Sequence, residues 1–157
     1  MIKSPPDASE RELLRALQKD SQQSLRELAK AIGLPISTVH EKVKRLEREG
    51  YIKGYRAILD EKKLGFPITG FIFVSIMPSS TKGASKKKIA KQIAGLKNFQ
   101  EVHSLAGDWD FIVKAKAASI QELGSLVSEK ISAIPGVGKA SASIVFETVK
   151  EEAALDL

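Results

Sequence analysis

Ala29, Gly33 and Val39 constrain this chain more tightly than any other three residues. They lie in "LRELAKAIGLPISTVHEKVKRLEREG", residues 25–50, where two amphipathic segments meet. A small residue at 29 lets two helices approach closely. A glycine at 33 makes the left-handed turn that ends the first helix, and an aliphatic residue at 39 locks the second in place. Ser24 with Glu27 has the spacing of a capping box in front of the first of these helices, and Leu25, Leu28, Ala29 and Ile32 share its apolar face. The second helix is expected from Ile36 or Ser37, with Val39, Val43 and Leu46 inside and Gly50 as its stop. Upstream, "SPPDASERELLRALQKD" predicts another helix, with Asp7 as N-cap, Glu10 completing a second capping box, and Leu13, Leu14 and Leu17 as its stripe. "YIKGY", residues 51–55, places a glycine-centred turn between short β-favouring segments and reads as a wing.

Two helices crossing over such a turn form a helix-turn-helix, whose second helix enters the DNA major groove. With the seam inside, Ser37, Thr38, His40, Glu41, Lys44, Arg45 and Arg48 point outward. Hydroxyls and an imidazole near the N-terminal end suit base edges, and the cations further along suit phosphates. A net charge of +6 and a pI near 9.5 fit a polyanionic partner, although the charge divides evenly between residues 1–60 and 61–157. Double-stranded DNA is the partner expected.

Residues 54–65, "GYRAILDEKKLG", hold a short β-like run from Tyr55 to Leu59 and then a charged turn, and are read as a linker strand. Beyond Phe66 the order is strand (68–77), helix (85–97), strand (99–106), strand (110–117), helix (119–134, with Ser119 and Glu122 as a third capping box) and, after "PGVG", a last strand "KASASIVFETVK" (139–150). This βαββαβ order is the ferredoxin-like split unit, and the fold class is α+β. The domains are 1–53 (winged helix-turn-helix), 54–66 (linker strand) and 67–157 (ferredoxin-like). The first strand carries Ile68, Ile72, Val74 and Ile76 on one face, and Phe71, Phe73 and Met77 on the other. Two helices cover one side of such a sheet, so the second side predicts a homodimer, which also suits two half-sites of a pseudo-palindrome.

Enzyme chemistry finds little support. There are no cysteines, which removes disulfides, thiolate metal sites and cysteine nucleophiles and fits a reducing cytoplasm. His40 and His103 lie in different domains without an acid pair, so no metal site is expected, and His103 reads as structural. Asp108 and Asp110 flank Trp109 in "GDWD", but no base, nucleophile or phosphate loop accompanies them. The lysine run 86–88 is read as a solvated helix start, cations at the positive dipole end that gain nothing from local helix electrostatics. The N-terminal stretch has no signal-peptide apolar run, and no segment approaches membrane-spanning length.

Over essentially its whole length the chain resembles the Lrp/AsnC family, the feast/famine transcription regulators of bacteria and archaea. The resemblance rests on "LRELAKAIGL…STVHEKVKRLEREGYIKGYRAILDEKKLG", on "AGDWDFIVKAKA" and on "IPGVGKASASIVFETVKEE". It implies a ligand-sensing function for the ferredoxin-like domain and dimers that assemble into tetramers, octamers or discs, with an amino-acid effector bound between dimers. The loop around Gly107, Asp108 and Asp110 would meet the effector's ammonium. The opposite wall falls on Ala140 and Ala142, where the family commonly has two threonines. Without those hydroxyls, weak amino-acid binding is expected, or a ligand with an apolar tail. Pro35 stands where the family usually has a serine cap on the recognition helix, which shifts the expected cap to Ser37. No cofactor is implied. The alternative is an enzyme of the same two-domain build, similar to the sirohaem decarboxylases, which work with histidine and arginine near a tetrapyrrole; a ligand-binding module without DNA activity is a third. The cation-bearing recognition helix favours the regulator.

Overall fold

A computed structural model describes residues 4–77 and 85–157. It divides into two compact units, Met1–Ile58 with Lys150–Leu157, and Leu59–Val149. The C-terminal tail, expected with the second domain, groups with the first, where Gln18 donates its side-chain amide to the Leu155 carbonyl and accepts from the Leu155 N–H (3.0 and 2.7 Å).

The first unit is three helices: α1 (Ala8–Lys19), α2 (Leu25–Ile32) and α3 (Ile36–Arg48). Both expected capping boxes close α1 and α2, Asp7 with Glu10 and Ser24 with Glu27. Gly33 ends α2 in the left-handed region (φ 72°). Leu13, Leu28, Ala29, Val39, Val43 and Leu46 form one buried core, so the close approach implied at Ala29 and Val39 is realised. The cap of α3 differs from expectation. Pro35 occupies the N-cap position without any side-chain cap bond, and Ser37 lies inside the first turn. Proline presets φ at −58° and its carbonyl accepts the Val39 N–H, so the cap lies two residues before the serine and the helix starts at Ile36. The wing and the linker strand form no ladder among the described residues. Two residues on each side of Gly54 close too few bonds for an independent hairpin, and Ile58 and Leu59 stand exposed.

The second unit is a four-stranded antiparallel sheet with helices on one side. Its elements are β1 (Ile68–Ile76), α4 (Lys86–Ala94), β2 (Phe99–Ser104), β3 (Phe111–Ala117), α5 (Ile120–Ser125) and β4 (Val137–Ile144), and the strand order is β2-β3-β1-β4. The second helix does not stay α-helical to residue 134: Leu126–Ile131 continue α5 as π-helix, with Ser132 N–H bonded to the Val127 carbonyl five residues back. Ser119 accepts from Glu122 N–H, but Glu122 reaches back to Ala118 N–H, so this third cap is a variant of the expected box. β4 stops at Ile144, short of the "FETVK" run. Gly70 faces Ile144 and Val145 bonds Thr69, so β1 has only Ile68 left opposite that run.

The register fixes the two faces. Ile72 and Val74 of β1 share the helix side with Phe111, Val113 and the helix residues Ile89, Ile93, Leu123 and Ile131 in one core. Gly70 also lies on that side, where a Cβ would come within 2.6 Å of the Leu123 side chain. Phe71 and Phe73 share the other side with Ile112, Lys114, Ser141 and Ser143. One end of that side is covered by the turn at 61–65, where Glu61 accepts from the buried Lys116 ammonium at 2.7 Å.

Candidate nucleic-acid interface

α3 turns Val39, Val43 and Leu46 inward, and at 100° per residue this puts Ser37, Glu41, Lys44 and Arg48 in one stripe on the opposite side. All four are exposed. His40 is exposed on one flank and Thr38 is half-buried on the other. Lys44 pairs with Glu47 at 3.2 Å, and Glu47 in turn accepts from the Tyr55 hydroxyl at 3.1 Å. The Lys44 hydrogen bond, helped by Tyr55, holds the Glu47 carboxyl below its ordinary range. Burial and then the Glu47 hydrogen bond push the Tyr55 hydroxyl up. Lys44 remains largely exposed, so this ion pair is weak and a phosphate can displace Glu47 at small cost.

Arg45 departs from the expected outward set. Its Nε lies 3.3 Å from Glu10 Oε1, and its Nη2 donates to the Ser4 carbonyl at 3.5 Å. The Glu10 side chain is 1% exposed, while its other oxygen accepts from the Asp7 N–H at 2.9 Å. Asp7 pairs with Lys42 at 2.7 Å, and that hydrogen bond holds its carboxyl well below the usual range. One side of α3 is therefore spent on gripping the N-terminal end of α1, and the guanidinium belongs to that grip. Sequence periodicity could not separate Arg45 from Arg48, because the difference depends on where α1 lies. The capping box at Asp7 and Glu10 was the available signal, since it placed two carboxylates at one end of α1.

In the second unit, the loop between β2 and β3 is closed by Leu105 N–H bonding the Asp110 carbonyl at 2.9 Å. Gly107 adopts φ 139°, a conformation that a side chain would strain, and Asp108 is exposed beside it. Asp110 is engaged within its own chain. One oxygen accepts from Lys86 Nζ at 2.9 Å and the other from Ile76 N–H at 2.8 Å, which together lower its pKa. It is therefore not a free carboxylate for a ligand's ammonium as expected, whereas Asp108 keeps that capacity. Trp109 lies against Phe73 (centroids 5.8 Å apart), with Lys139 Nζ 5.4 Å above its ring. Ala140 and Ala142 face Val74 and Ile72, on the helix side of the sheet, opposite to Phe73 and Lys139. Trp109 therefore lies on the outer side of the sheet and the two alanines on the helix side. Lys86, Trp109 and Lys139 were not singled out as site residues by the sequence. Among the described residues, no cluster of His, Cys, Asp or Glu could hold a metal ion, and no helix is long and apolar enough to cross a membrane.

The three-helix unit with its outward polar stripe, joined to a βαββαβ unit, defines a DNA-binding regulator with a separate sensing domain. Residues 6–53 match the model of a winged helix-turn-helix DNA-binding domain, and residues 71–155 match the Lrp/AsnC ligand binding domain. An uncharacterised HTH-type transcriptional regulator of Pyrococcus furiosus is 38% identical, over 93% of this chain and 96% of its own. The HTH-type transcriptional regulator FL11 of Pyrococcus horikoshii is 32% identical over 99% of both chains. The solved structure of a Neisseria meningitidis transcriptional regulator in complex with L-methionine superposes with a TM-score of 0.89 at 22% identity, covering 97% of each chain. That likeness establishes the fold. The chain belongs to the Lrp/AsnC family of transcriptional regulators.

Proposed function

We propose that the protein reads a two-fold operator in duplex DNA. Ser37, Glu41 and Thr38 meet base edges, Lys44 and Arg48 meet phosphates, and His40 stands at the flank. The stripe of exposed polar residues opposite the α3 seam carries this reading. Two copies pair through the outer side of the sheet, where Phe71, Phe73, Ile112 and Trp109 are only half-buried in one chain, and such dimers assemble into tetramers or octamers. The effector is an amino acid with an apolar tail. Asp108 takes its ammonium, and the alanine wall at 140 and 142, turned to the helix side, comes from an apposed copy. Work on DNA places the protein in the cytoplasm, without catalytic chemistry. The decarboxylase alternative predicts a tetrapyrrole absorbance band in the purified protein.

The test is binding of duplex DNA selected by the protein, titrated against salt. Lys44→Ala with Arg48→Ala should weaken binding to all sequences and reduce the slope of log K against log salt by about 0.9 for each lost phosphate contact. Substitutions at Ser37 or Thr38 should instead change which sequence is preferred. Unaltered affinity and slope in the Lys44/Arg48 double variant would refute the interface.

A further inference from the structure

Between Lys62 and Gln100 the sequence has eight lysines and no aspartate or glutamate. Set against a whole-chain net charge of +6, those eight leave the remainder at −2. This stretch is the one long run of cations without an intervening acid, and it lies outside the recognition helix. α4 concentrates it. Ile89 and Ile93 are fully buried beneath the helix, and Lys86 is committed to Asp110 and the Leu105 carbonyl. At 100° per residue, Lys87, Lys88 and Lys91 fall within an arc of about 100° on the opposite side, and all three are exposed. None has an acidic partner within ion-pair distance among the described residues. The helix bears an electrostatic cost for this. Lys87 and Lys91 are an i,i+4 like-charge pair, Lys88 and Lys91 an i,i+3 pair, and the first turn carries no acid to meet the positive end of the dipole.

We propose that this face of α4 is a second DNA-contacting surface, which binds the phosphate backbone of duplex flanking the site held by the helix-turn-helix. The proposal rests on the DNA-binding reading of the first unit, because DNA held there presents its flanks at high local concentration. The side chains suit phosphates and little else. Lys87, Lys88, Lys91 and Gln92 can neutralise and hydrogen-bond a backbone but bring no aromatic ring to stack on unpaired bases. A membrane surface fits worse, since an interfacial helix needs an apolar side to bury, and both isoleucines of α4 are already spent in the core. Contacts of this kind add affinity and length dependence without sequence preference.

The experiment uses the full chain and random-sequence duplexes of about 20 and about 100 base pairs, titrated between about 0.05 and 0.3 M salt. Three proteins are compared: wild type, Lys87→Gln/Lys88→Gln/Lys91→Gln, and a charge-matched control, Lys62→Gln/Lys63→Gln/Lys130→Gln. On the short duplex all three should bind alike, which also shows that the variants are folded. On the long duplex the α4 variant should lose at least about tenfold in affinity. Its salt slope should fall by about 0.9 per lost contact, or up to about 2.7 for each α4 engaged, while the control stays with wild type. An α4 variant that matches wild type on the long duplex overturns the proposal and leaves the helix-turn-helix reading intact. A control variant that loses as much as the α4 variant also overturns it, by showing a bulk-charge effect. Failure of wild type to bind either duplex overturns both readings.

Discussion

Removing the Arg45 guanidinium should damage the fold before it damages DNA contact. Arg45 is 29% exposed and lies 3.3 Å from a carboxylate that is 1% exposed, with Lys42 as the remaining cation at 4.0 Å. Stripping one partner from a fully buried pair costs about 3–5 kcal/mol. Partial exposure of Arg45 and the residual Lys42 bring the expectation for Arg45→Ala down to about 2–3 kcal/mol. Amide hydrogen exchange of α1 and α3 in the full chain reads it directly, as opening made about 30- to 150-fold more frequent. Glu10→Gln in the same chain removes the stranded charge, while the amide oxygen can still accept from Asp7 N–H, so the double variant should recover most of the loss. Unaltered exchange together with a salt slope reduced by one unit would refute this reasoning and return Arg45 to the phosphate-facing set.

Phe73→Glu places a carboxylate in the middle of the outer sheet face, against Ile112 and Trp109, and should yield monomer or unfolded protein in light scattering at micromolar concentration. A wild type that is itself monomeric there would refute the dimer. Asp110 has a lowered pKa, so its contribution is fully present above the ordinary aspartate value near 3.8 and is lost as pH falls through the depressed value in the fold. Fluorescence of Trp109, the chain's one tryptophan, should therefore report acid unfolding of the second unit, and Asp110→Asn should already be destabilised at pH 7 and show a shallower acid limb. Calorimetric titration with the twenty amino acids should favour an apolar one, and the absent threonine hydroxyls should lower affinity about five- to tenfold each, at about 1 kcal/mol per missing bond. Tight binding of glutamine or lysine that is unaffected by Asp108→Ala would show that the effector site has been misplaced.

Features legible in the sequence were those decided within a few residues. Asp7 with Glu10 and Ser24 with Glu27 cap helices by contacts three positions apart, and Gly33 ends α2 because a local backbone angle demands it. The alternation in β1 correctly sorted Ile72 and Val74 from Phe71 and Phe73, since pleating is a property of the strand alone. Features that depended on a distant partner were misread. β4 looked able to run past Ile144, but its length is set by where β1 begins. The π-helical turn at 126–131 leaves the apolar spacing of Val127 and Ile131 unchanged, so periodicity alone read straight through it.

The same division explains why the candidate effector residues were harder to judge than the recognition stripe. Ser37, Glu41, Lys44 and Arg48 sit on one helix, and once its seam is known their common direction follows from helical geometry. Asp108, Asp110, Ala140 and Ala142 come from a loop and an edge strand. Asp110 is claimed by Lys86 from α4, a partner 24 positions away. Pairing of Ala140 with Val74 and Ala142 with Ile72 then turns both alanines to the helix side. Parity in the sequence could show that Ser141 and Ser143 point away from the alanines, but it could not say which of the two faces carries Trp109. The proposed site takes Asp108 from one copy and the alanines from another. In that arrangement effector binding and assembly are one equilibrium, because a ligand held between copies stabilises their association by mass action.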